Sequence, residues 1–359
     1  MEDHPASHRG PGIKDPPSRA LVKIPAVKLK LRPLFCLSLF LLALQAAKAD
    51  APSFLSPQQD ISLTGGVSRF DYQAFDPQTG TLYIAHMGAG QIIIFNTEKG
   101  QVTQTLSGFP GVTGLLLLPE SHRLYVSVTG RHQVEVLDTE SFKRLAQIPA
   151  GRFPDGMAYV PETHQLFVSD ELGGNITVID TATNKKVLAV KAEGEVGNVA
   201  YDPKGQKIWA AVQSRNEIIS LNTQSLKIED RVLLKEGKHP HGLHIVSNSR
   251  LAFIACDGDE KLLVMDLESQ EIRSVFEIAK DPDVLAFDSS SGNLYVACES
   301  GMVSILKVKG AKVEKIGDFA VGDNAHSVAV NPSNHFLYFP LRKVNGQPVL
   351  RVMHPNSKN

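Results

Sequence analysis

Three histidines lie close together in residues 239–245, which read HPHGLHI. Imidazole nitrogen is a common ligand of transition metals, and its pKa near neutrality also suits it to general base catalysis. Such a cluster could bind a metal ion or accept a proton from a substrate. A turn that carries histidines without any chemistry would look the same. The positions of His239, His241 and His244 in the fold must therefore decide between these interpretations.

A repeat of about 42 residues defines the elements that position these histidines. Seven stretches combine a turn with an apolar run, as in SHRLYVSVTG and THQLFVSDEL. Their aromatic residues recur at intervals of 42, 42, 42, 44, 42 and 43 residues and are Tyr83, Tyr125, Phe167, Trp209, Phe253, Tyr295 and Tyr338. Each repeat divides into four short β-branched runs, which is the pattern of a β-propeller blade. We therefore predict an all-β, seven-bladed propeller of four-stranded blades over residues 58–353, with the aromatic residues buried between neighbouring sheets.

The seventh repeat lacks a fourth strand before the sequence ends at Asn359. Residues 60–66, DISLTGG, precede the first repeat and resemble the outer strands of the other blades. We predict that this N-terminal strand completes blade seven, because closure of the ring removes an open sheet edge. Residues 50–57 would then form a short N-terminal segment, and residues 354–359 a C-terminal tail.

The runs LYVSV, LFVSD and LYVAC, together with VIDTATNKKV, resemble the YVTN-repeat, or YncE-like, propeller family. The resemblance covers about residues 58–353 and extends to WD40-like repeats in its general pattern. It implies an exported seven-bladed ring. The members of the family have varied roles, so the resemblance does not supply an activity.

The first 49 residues are typical of an export signal. A basic flank at residues 28–33 precedes a 13-residue apolar run at residues 34–46, and AKA follows at residues 47–49. The small residues of AKA suit signal peptidase, and the apolar run is shorter than the roughly 20 residues that span a bilayer. We predict cleavage and a periplasmic or secreted mature chain without a membrane span. Residues 1–22 are long and polar for a signal, which indicates a start assigned upstream of the true one.

Charge and cysteine content exclude some partners. Eight of the 37 basic and three of the 38 acidic residues precede Asp50, so 29 basic and 35 acidic residues remain. No basic stripe is present, which makes nucleic acid a poor partner, and we expect a monomer. Cys256 and Cys298 occupy equivalent positions in adjacent blades. Packed sheets lie about 10 Å apart, whereas a disulfide needs Cα atoms within about 7 Å, so free thiols are predicted.

Alignment of the repeats places a polar ring at the start of the innermost strands. Five of its seven members can ionise, and the ring consists of Asp71, Thr113, Asp155, Gly197, His241, Asp283 and His326. A second row follows each aromatic residue by three positions and includes His86 and Asp170, with Arg342 one position further on. Loops on one face of a propeller would bring both rows to one mouth of the central channel. The predicted ligand-binding residues are Asp71, His86, Asp155, Asp170, His241, Asp283 and His326.

Two kinds of chemistry fit this mouth. His241, Asp283 and His326 lie in consecutive blades and could bind a divalent metal such as zinc, copper, manganese or iron, although a hydrated mouth without an ion would show the same residues. In a lactonase-like or other hydrolase, His86, His241 or His326 would act as the base, and Arg342 would stabilise an oxyanion.

The sequence therefore favours an exported binding or scaffold protein that holds a small polar ligand or a protein partner at the channel mouth. Hydrolysis at the same ring is the alternative. DNA binding, which the family resemblance suggests, is less favoured because the mature chain is acidic. A role as a redox partner is also less favoured, and the absence of a CxxCH motif excludes a c-type cytochrome.

Overall fold

The computed structural model describes residues 54–356, and the predicted export signal lies outside this part of the chain. Within residues 54–356 the chain forms seven antiparallel, four-stranded sheets, which confirms the predicted seven-bladed propeller. Blades one to six each use four consecutive strands. The innermost strands of successive blades contact each other around the ring, and the innermost strand of blade seven contacts those of blades six and one.

The N-terminal strand is β1 (Leu55–Ser62). The strands of blades one to three are β2 (Gln73–Asp76), β3 (Thr81–His86), β4 (Gln91–Asn96), β5 (Gln101–Ser107), β6 (Val112–Leu118), β7 (Arg123–Val128), β8 (Gln133–Asp138), β9 (Arg144–Pro149), β10 (Pro154–Val160), β11 (Gln165–Asp170), β12 (Asn175–Asp180) and β13 (Lys185–Lys191). The strands of blades four to six are β14 (Val196–Asp202), β15 (Lys207–Val212), β16 (Glu217–Asn222), β17 (Ile228–Leu233), β18 (Pro240–Val246), β19 (Leu251–Cys256), β20 (Lys261–Asp266), β21 (Ile272–Glu277), β22 (Pro282–Asp288), β23 (Asn293–Cys298), β24 (Met302–Lys309) and β25 (Lys312–Ala320). Blade seven adds β26 (Ala329–Val330), β27 (Leu337–Val344) and β28 (Gln347–Pro355). Short 3₁₀ turns occupy Met87–Ala89, Pro119–Ser121, Thr129–Arg131 and Gln213–Arg215.

The N-terminal strand closes the ring, as the incomplete seventh repeat predicts. Strand β1 pairs antiparallel with β28 as the outermost strand of blade seven, with Leu55 opposite Pro355 and Ser62 opposite Val349. The strand starts earlier than the predicted residues 60–66 and ends at Ser62. The propeller therefore includes residues 55–57 of the predicted N-terminal segment and residues 354–355 of the predicted tail. Leu55 is buried and anchors the start of β1.

The seven aromatic residues of the repeat fill the spaces between neighbouring blades. All seven are buried, with at most 3% of the residue exposed. Each belongs to an apolar cluster that also contains second-strand residues of the next blade. Phe167 of blade three shares a cluster with Ile208 of blade four, and Tyr338 of blade seven shares one with Leu82 of blade one. Burial of this apolar surface holds the blades together around the whole ring.

Asn and Asp side chains start the turns that follow the third strands. The side-chain Oδ1 of Asn96 accepts a hydrogen bond from the backbone N–H of Lys99 at 2.7 Å, and Oδ1 of Asp180 accepts one from Ala182 at 2.8 Å. A short polar side chain that bonds to nearby backbone N–H groups stabilises a tight turn. Thr97 and Thr181 then donate side-chain hydrogen bonds to the turns that precede the second strands.

Candidate functional site

Irregularities in the innermost strands expose the ring residues. In blades three, five and six, the strand changes register within three residues of its start. The shifts fall between Pro154 and Met157, between Pro240 and Gly242, and between Pro282 and Leu285. Each shift contains one ring residue, which is Asp155, His241 or Asp283. A β-bulge interrupts regular pairing and re-aims a side chain, and this explains how a strand next to the channel presents charged groups to it.

The glycine after His241 allows the blades to approach closely at the ring. A Cβ atom on Gly242 would lie 2.1 Å from the backbone oxygen of Asp283 in the next blade. The same contact recurs in blade two, where a Cβ on Gly114 would lie 2.0 Å from the oxygen of Asp155. Only glycine fits so close a backbone approach. The motif PHG in residues 240–242 is therefore the start of an innermost strand, and His241 alone of its three histidines belongs to the channel.

Four ring residues from different blades form one connected network. His326 Nε2 lies 3.2 Å from Asp71 Oδ1, and His326 Nδ1 lies 3.1 Å from Asp283 Oδ2. On the other side of that carboxylate, His241 Nε2 lies 3.2 Å from Asp283 Oδ1. The structure thus brings together Asp71, His241, Asp283 and His326, which lie up to 255 residues apart in the sequence.

Two further charged residues extend this network, and the sequence prediction did not include them. Glu299 Oε1 lies 2.9 Å from His326 Nδ1, and Arg69 Nη1 lies 3.0 Å from the same glutamate oxygen. Arg69 is also 4.0 Å from Asp283. Glu299 directly follows Cys298 at the end of β23, so the row of residues beyond the second strands contained the signal for it. No repeat position marks Arg69, which lies in the loop before β2.

These groups surround a cavity of about 230 Å³ at one mouth of the channel. Its lining consists of Arg69, Asp71, Tyr72, Met87, Phe153, Asp155, Glu171, His241, Asp283 and His326. Tyr72 reaches across the channel, where its hydroxyl donates hydrogen bonds to Asn198 and, at 3.5 Å, to Asp155. Tyr72 also lines a second cavity of about 320 Å³, whose other walls include Leu243 and Val328. The tyrosine therefore stands between the charged mouth and a part of the channel that is lined by uncharged residues.

Charge is unevenly balanced around this cavity. Burial, reinforced by the carboxylates of Asp71, Glu171 and Asp283, raises the pKa of Asp155 to about 8, although His241 partly opposes this shift. Burial is the largest cause of this shift, and the three neighbouring carboxylates add to it, so a nearby cation would favour the ionised form of Asp155. The wall of the cavity formed by Asp155 and Glu171 therefore attracts positive charge.

On the opposite side of the cavity, positive and negative side chains balance one another. Burial alone would lower the pKa of His241, but Asp283 and Asp155 raise it to about 9. Asp283 and Asp71 likewise hold the pKa of His326 well above its usual value in spite of burial. Burial would raise the pKa of Asp283, yet the two imidazoles hold that pKa well below its usual range. The imidazoles and Asp283 thus stabilise one another as charged groups.

Three of the predicted site residues lie away from the cavity lining. His86 is fully buried, stacks on Phe70 with ring centroids 4.0 Å apart, and lies 2.9 Å from Ser68 Oγ through Nε2. Asp170 accepts backbone hydrogen bonds from Phe153 at 2.8 Å and from Gly173 at 3.1 Å, so it stabilises a turn. In both strands the residue one position further, Met87 or Glu171, lines the cavity instead.

The third of these residues is Arg342, which forms an exposed ion pair with Asp323 at 3.1 Å. In blades one, three and six the second strand ends at the predicted row, and the chain then turns into the mouth. Strand β27 instead continues to Val344, so Arg342 stays within a strand. The length of β27 explains why the same repeat position leads to a different place.

The other two histidines of HPHGLHI also lie outside the network. His239 Nδ1 lies 2.6 Å from Asp257 Oδ1, in the loops beside the mouth. His244 packs against Phe287, with ring centroids 6.0 Å apart. Both placements agree with the repeat alignment, which separates His241 from its neighbours.

Cys256 and Cys298 are buried and are not joined to each other by a disulfide. This agrees with the prediction from blade spacing. Burial raises the pKa of each thiol to about 12, so both remain protonated near neutral pH. A protonated, buried thiol is a small apolar side chain and a poor metal ligand.

The chain is similar to known propellers over most of its length. A family model described as the cytochrome D1 heme domain matches residues 83–249. A chain of Kuenenia stuttgartiensis hydrazine synthase has 16% sequence identity and a TM-score of 0.68, with 82% of this chain and 97% of that chain covered. A chain of a mitotic checkpoint complex has 14% identity and a TM-score of 0.72, with 89% of this chain and 98% of that chain covered.

A third solved structure, U3-55K, has 13% identity and a TM-score of 0.70, with coverage of 84% of this chain and all of that chain. No curated protein matches the sequence. At these identities the solved structures support the propeller fold alone. The resemblance to the YVTN-repeat family stays a prediction. Among the described residues, no helix is long and apolar enough to cross a membrane.

The channel mouth does not fit the haem for which the matching family is described. A haem iron is held by an axial side chain such as a histidine with a free ring nitrogen. Protein carboxylates lie about 3 Å from both ring nitrogens of His326 and from His241 Nε2, so the space in front of these nitrogens could take a small ion but not a porphyrin ring. The cavity of about 230 Å³ is also smaller than the pockets of roughly 300–1,000 Å³ that enclose drug-sized ligands. The mouth therefore suits a much smaller ligand.

Proposed function

We propose that this chain is an exported binding protein whose channel mouth holds a small cationic ligand, such as a primary ammonium group. The observation that carries the proposal is the charge of one small cavity. Its lining includes four carboxylic acids and only three basic side chains, and Glu299 adds a fifth acid beside it. The proposed export rests on the signal-like residues 28–49.

The distribution of ion pairs favours one wall of the cavity for this ligand. Arg69, His241 and His326 direct their ion pairs to Asp71, Asp283 and Glu299, as described above. Among the described residues, Asp155 and Glu171 have no ion-pair partner within 4.0 Å. An ammonium group beside them would pair with Glu171 and with the ionised form of Asp155, whose proton would leave to solvent, and would donate charge-assisted hydrogen bonds.

The size and the rigidity of the site support a small ligand. A cavity of about 230 Å³ takes on the order of eight water-sized groups at about 30 Å³ each, and Tyr72 limits the depth to which they can enter. The side chains come from the innermost strands and adjoining loops of several blades. A rigid frame that holds polar groups in place lowers the ordering cost of binding.

Binding fits the cavity better than hydrolysis does. A general base needs an unprotonated nitrogen within hydrogen-bond reach of the substrate. The neighbouring carboxylates raise the pKa of His241 to about 9 and that of His326 well above its usual value, so both imidazoles hold their protons near neutral pH. The pair of Ser68 and His86 has the spacing of a nucleophile and its base, but the buried His86 Nδ1 has no hydrogen-bond partner among the described residues to orient the ring.

Thermal unfolding with small ammonium salts tests the proposal. Ethylammonium chloride should raise the Tm of the wild-type protein relative to sodium chloride at the same ionic strength, whereas sodium acetate should not. A free ligand at 100 times its Kd adds about 2.7 kcal/mol of stability, which corresponds to a rise of several degrees. Asp155→Asn should abolish the rise by removing the carboxylate that the ammonium group would contact.

Arg342→Ala is the matched control, because it changes a charged residue that was predicted for the mouth but lies outside the cavity lining. It should retain the full effect of ethylammonium. If no ammonium salt raises the wild-type Tm, or if Asp155→Asn responds like the wild type, the proposed binding site is wrong.

A further inference from the structure

We propose that Asp283, Glu299 and His326 form a site for one divalent transition-metal ion at the edge of the channel mouth. This site is separate from the Asp155 and Glu171 wall and does not depend on the proposed ammonium ligand. One carboxylate oxygen of each acid and one ring nitrogen of the histidine lie within 4.8 Å of one another.

The spacing of the three donor atoms suits a metal ion. His326 Nδ1 lies 2.9 Å from Glu299 Oε1 and 3.1 Å from Asp283 Oδ2. Bonds of about 2.1 Å place neighbouring ligand atoms about 3.0 Å apart in an octahedral site and about 3.4 Å apart in a tetrahedral one. The two distances to His326 Nδ1 therefore need to change by a few tenths of an ångström at most, and the oxygens of the two acids lie within 4.8 Å of each other. Nitrogen and carboxylate oxygen donors suit Zn²⁺ and Mn²⁺.

A fourth residue holds the histidine in the orientation that a metal requires. Asp71 Oδ1 lies 3.2 Å from His326 Nε2, where it can accept a hydrogen bond from a protonated Nε2, and Arg69 Nη2 lies 3.3 Å from the same nitrogen. A carboxylate on the far nitrogen of a ligating histidine fixes the tautomer and the ring direction in many metal sites. With Nε2 protonated toward Asp71, the lone pair of Nδ1 can point between Asp283 and Glu299.

Asp283 is buried beside the proposed ion. The residue is 7% exposed, and its Oδ1 atom forms an ion pair with His241 Nε2 at 3.2 Å. That ion pair leaves the Oδ2 atom, which lies 3.1 Å from His326 Nδ1, for a bond to the metal.

The local charges also match a divalent ion. Asp71, Asp283 and Glu299 carry three negative charges around His326, and Arg69 contributes one positive charge beside Glu299. On binding, Nδ1, the Asp283 carboxylate and the Glu299 carboxylate each form a bond to the ion. Any proton on Nδ1 leaves to solvent, so the ion and Arg69 carry three positive charges beside the three carboxylates, and His241 adds one on the far side of Asp283. The histidine of the predicted set that does not ligate is His241, and Glu299 takes its place.

Metal binding to a protein purified without a histidine tag tests the inference. The protein is stripped with a chelator and titrated with Zn²⁺ and, separately, with Mn²⁺, and bound metal is measured by equilibrium dialysis and elemental analysis. We expect one ion per chain for at least one of the two metals. Glu299→Gln should weaken that binding at least tenfold. Asp71→Asn should weaken it about 10–100-fold, as loss of the carboxylate that orients a ligating histidine does.

Two controls separate this site from others. Arg342→Ala should leave metal binding unchanged, because Arg342 lies outside the cavity lining in an exposed ion pair with Asp323. Asp257→Asn should also leave metal binding unchanged, because it removes the other histidine–carboxylate pair near the mouth, at His239. The inference is wrong if neither metal binds at one ion per chain. It is also wrong if Glu299→Gln, with the Tm of the wild type, binds metal as tightly as the wild type does. Either result would leave the ammonium proposal standing.

Discussion

Asp288 shows how one buried carboxylate stabilises the end of an innermost strand. The residue is fully buried and ends β22. Its oxygens accept hydrogen bonds from the hydroxyl groups of Ser290 and Ser291, each at 2.6 Å, and His335 Nδ1 lies 2.6 Å from Oδ2. Burial would raise the pKa of Asp288, but these partners hold that pKa below its usual value.

The depressed pKa of Asp288 gives a pH-dependent contribution to stability. A carboxylate with a lowered folded-state pKa stabilises the protein above its unfolded pKa near 4, and the contribution is lost as the pH falls through the folded value. Asp288→Asn should therefore lower the free energy of unfolding by about 1–3 kcal/mol at pH 7. Urea unfolding should show this difference shrinking below about pH 4.

The exposed Asp323→Asn is the comparison for Asp288→Asn and should change stability little at either pH. If Asp288→Asn lowered the free energy of unfolding by the same amount at pH 7 and at pH 3, the charge of the carboxylate would not be what stabilises the turn.

Single residues of the site were predictable where the repeat fixes the direction of the side chain. The innermost-strand alignment brought Asp71, His241, Asp283 and His326 together because a ring position recurs at the same point of each blade. The row on the second strands was less informative, since the strand ends at His86 and the next residue lies in the mouth. Spacing in the sequence does not show at which residue a strand stops and the chain turns.

The N-terminal strand links the two ends of the propeller. Strand β1 pairs with β28 along Leu55–Ser62, and Arg351 of β28 donates to Asp60 through Nε at 2.8 Å. Phe54 and Leu55 are buried in the cluster that joins blades six and seven. The missing fourth strand of the seventh repeat predicted this pairing. The bounds were not predictable, because the polar residues 57–60 do not look like a strand.

Removal of β1 should destabilise the entire ring. A chain that starts at Leu63 leaves β28 as an open edge, so its Tm should fall by 10 °C or more, or the chain should not fold. The chain that starts at Asp50 is the matched control and should melt like the full sequence.

A milder variant keeps the closure prediction testable if the shortened chain does not fold. Leu55→Ala retains the strand but should cost about 2–5 kcal/mol, because the side chain is 3% exposed. Circular dichroism measures each Tm. If both the shortened chain and Leu55→Ala melted at the Tm of the wild type, a structural role for β1 would be contradicted.

At the scale of the whole molecule, the fold and the site depend on different parts of the repeat. The 42-residue period and the buried aromatic residues recur in every blade, and so the sequence alone predicts seven blades. The charges at the mouth differ from blade to blade, with aspartate, histidine, threonine or glycine at the same ring position. The regular repeat therefore predicts the propeller fold. The choice of ligand depends on the differences between blades and on contacts such as that of Arg69 with Glu299.

The location of a bound cation tests the central claim most directly. Crystals of the wild-type protein soaked in caesium chloride would show monovalent cation sites by anomalous scattering. We expect a caesium peak inside the mouth cavity, within contact distance of the Asp155 or Glu171 carboxylate, and no such peak in Asp155→Asn. Caesium peaks on the outer surface with none in the cavity would contradict a cation-binding channel mouth.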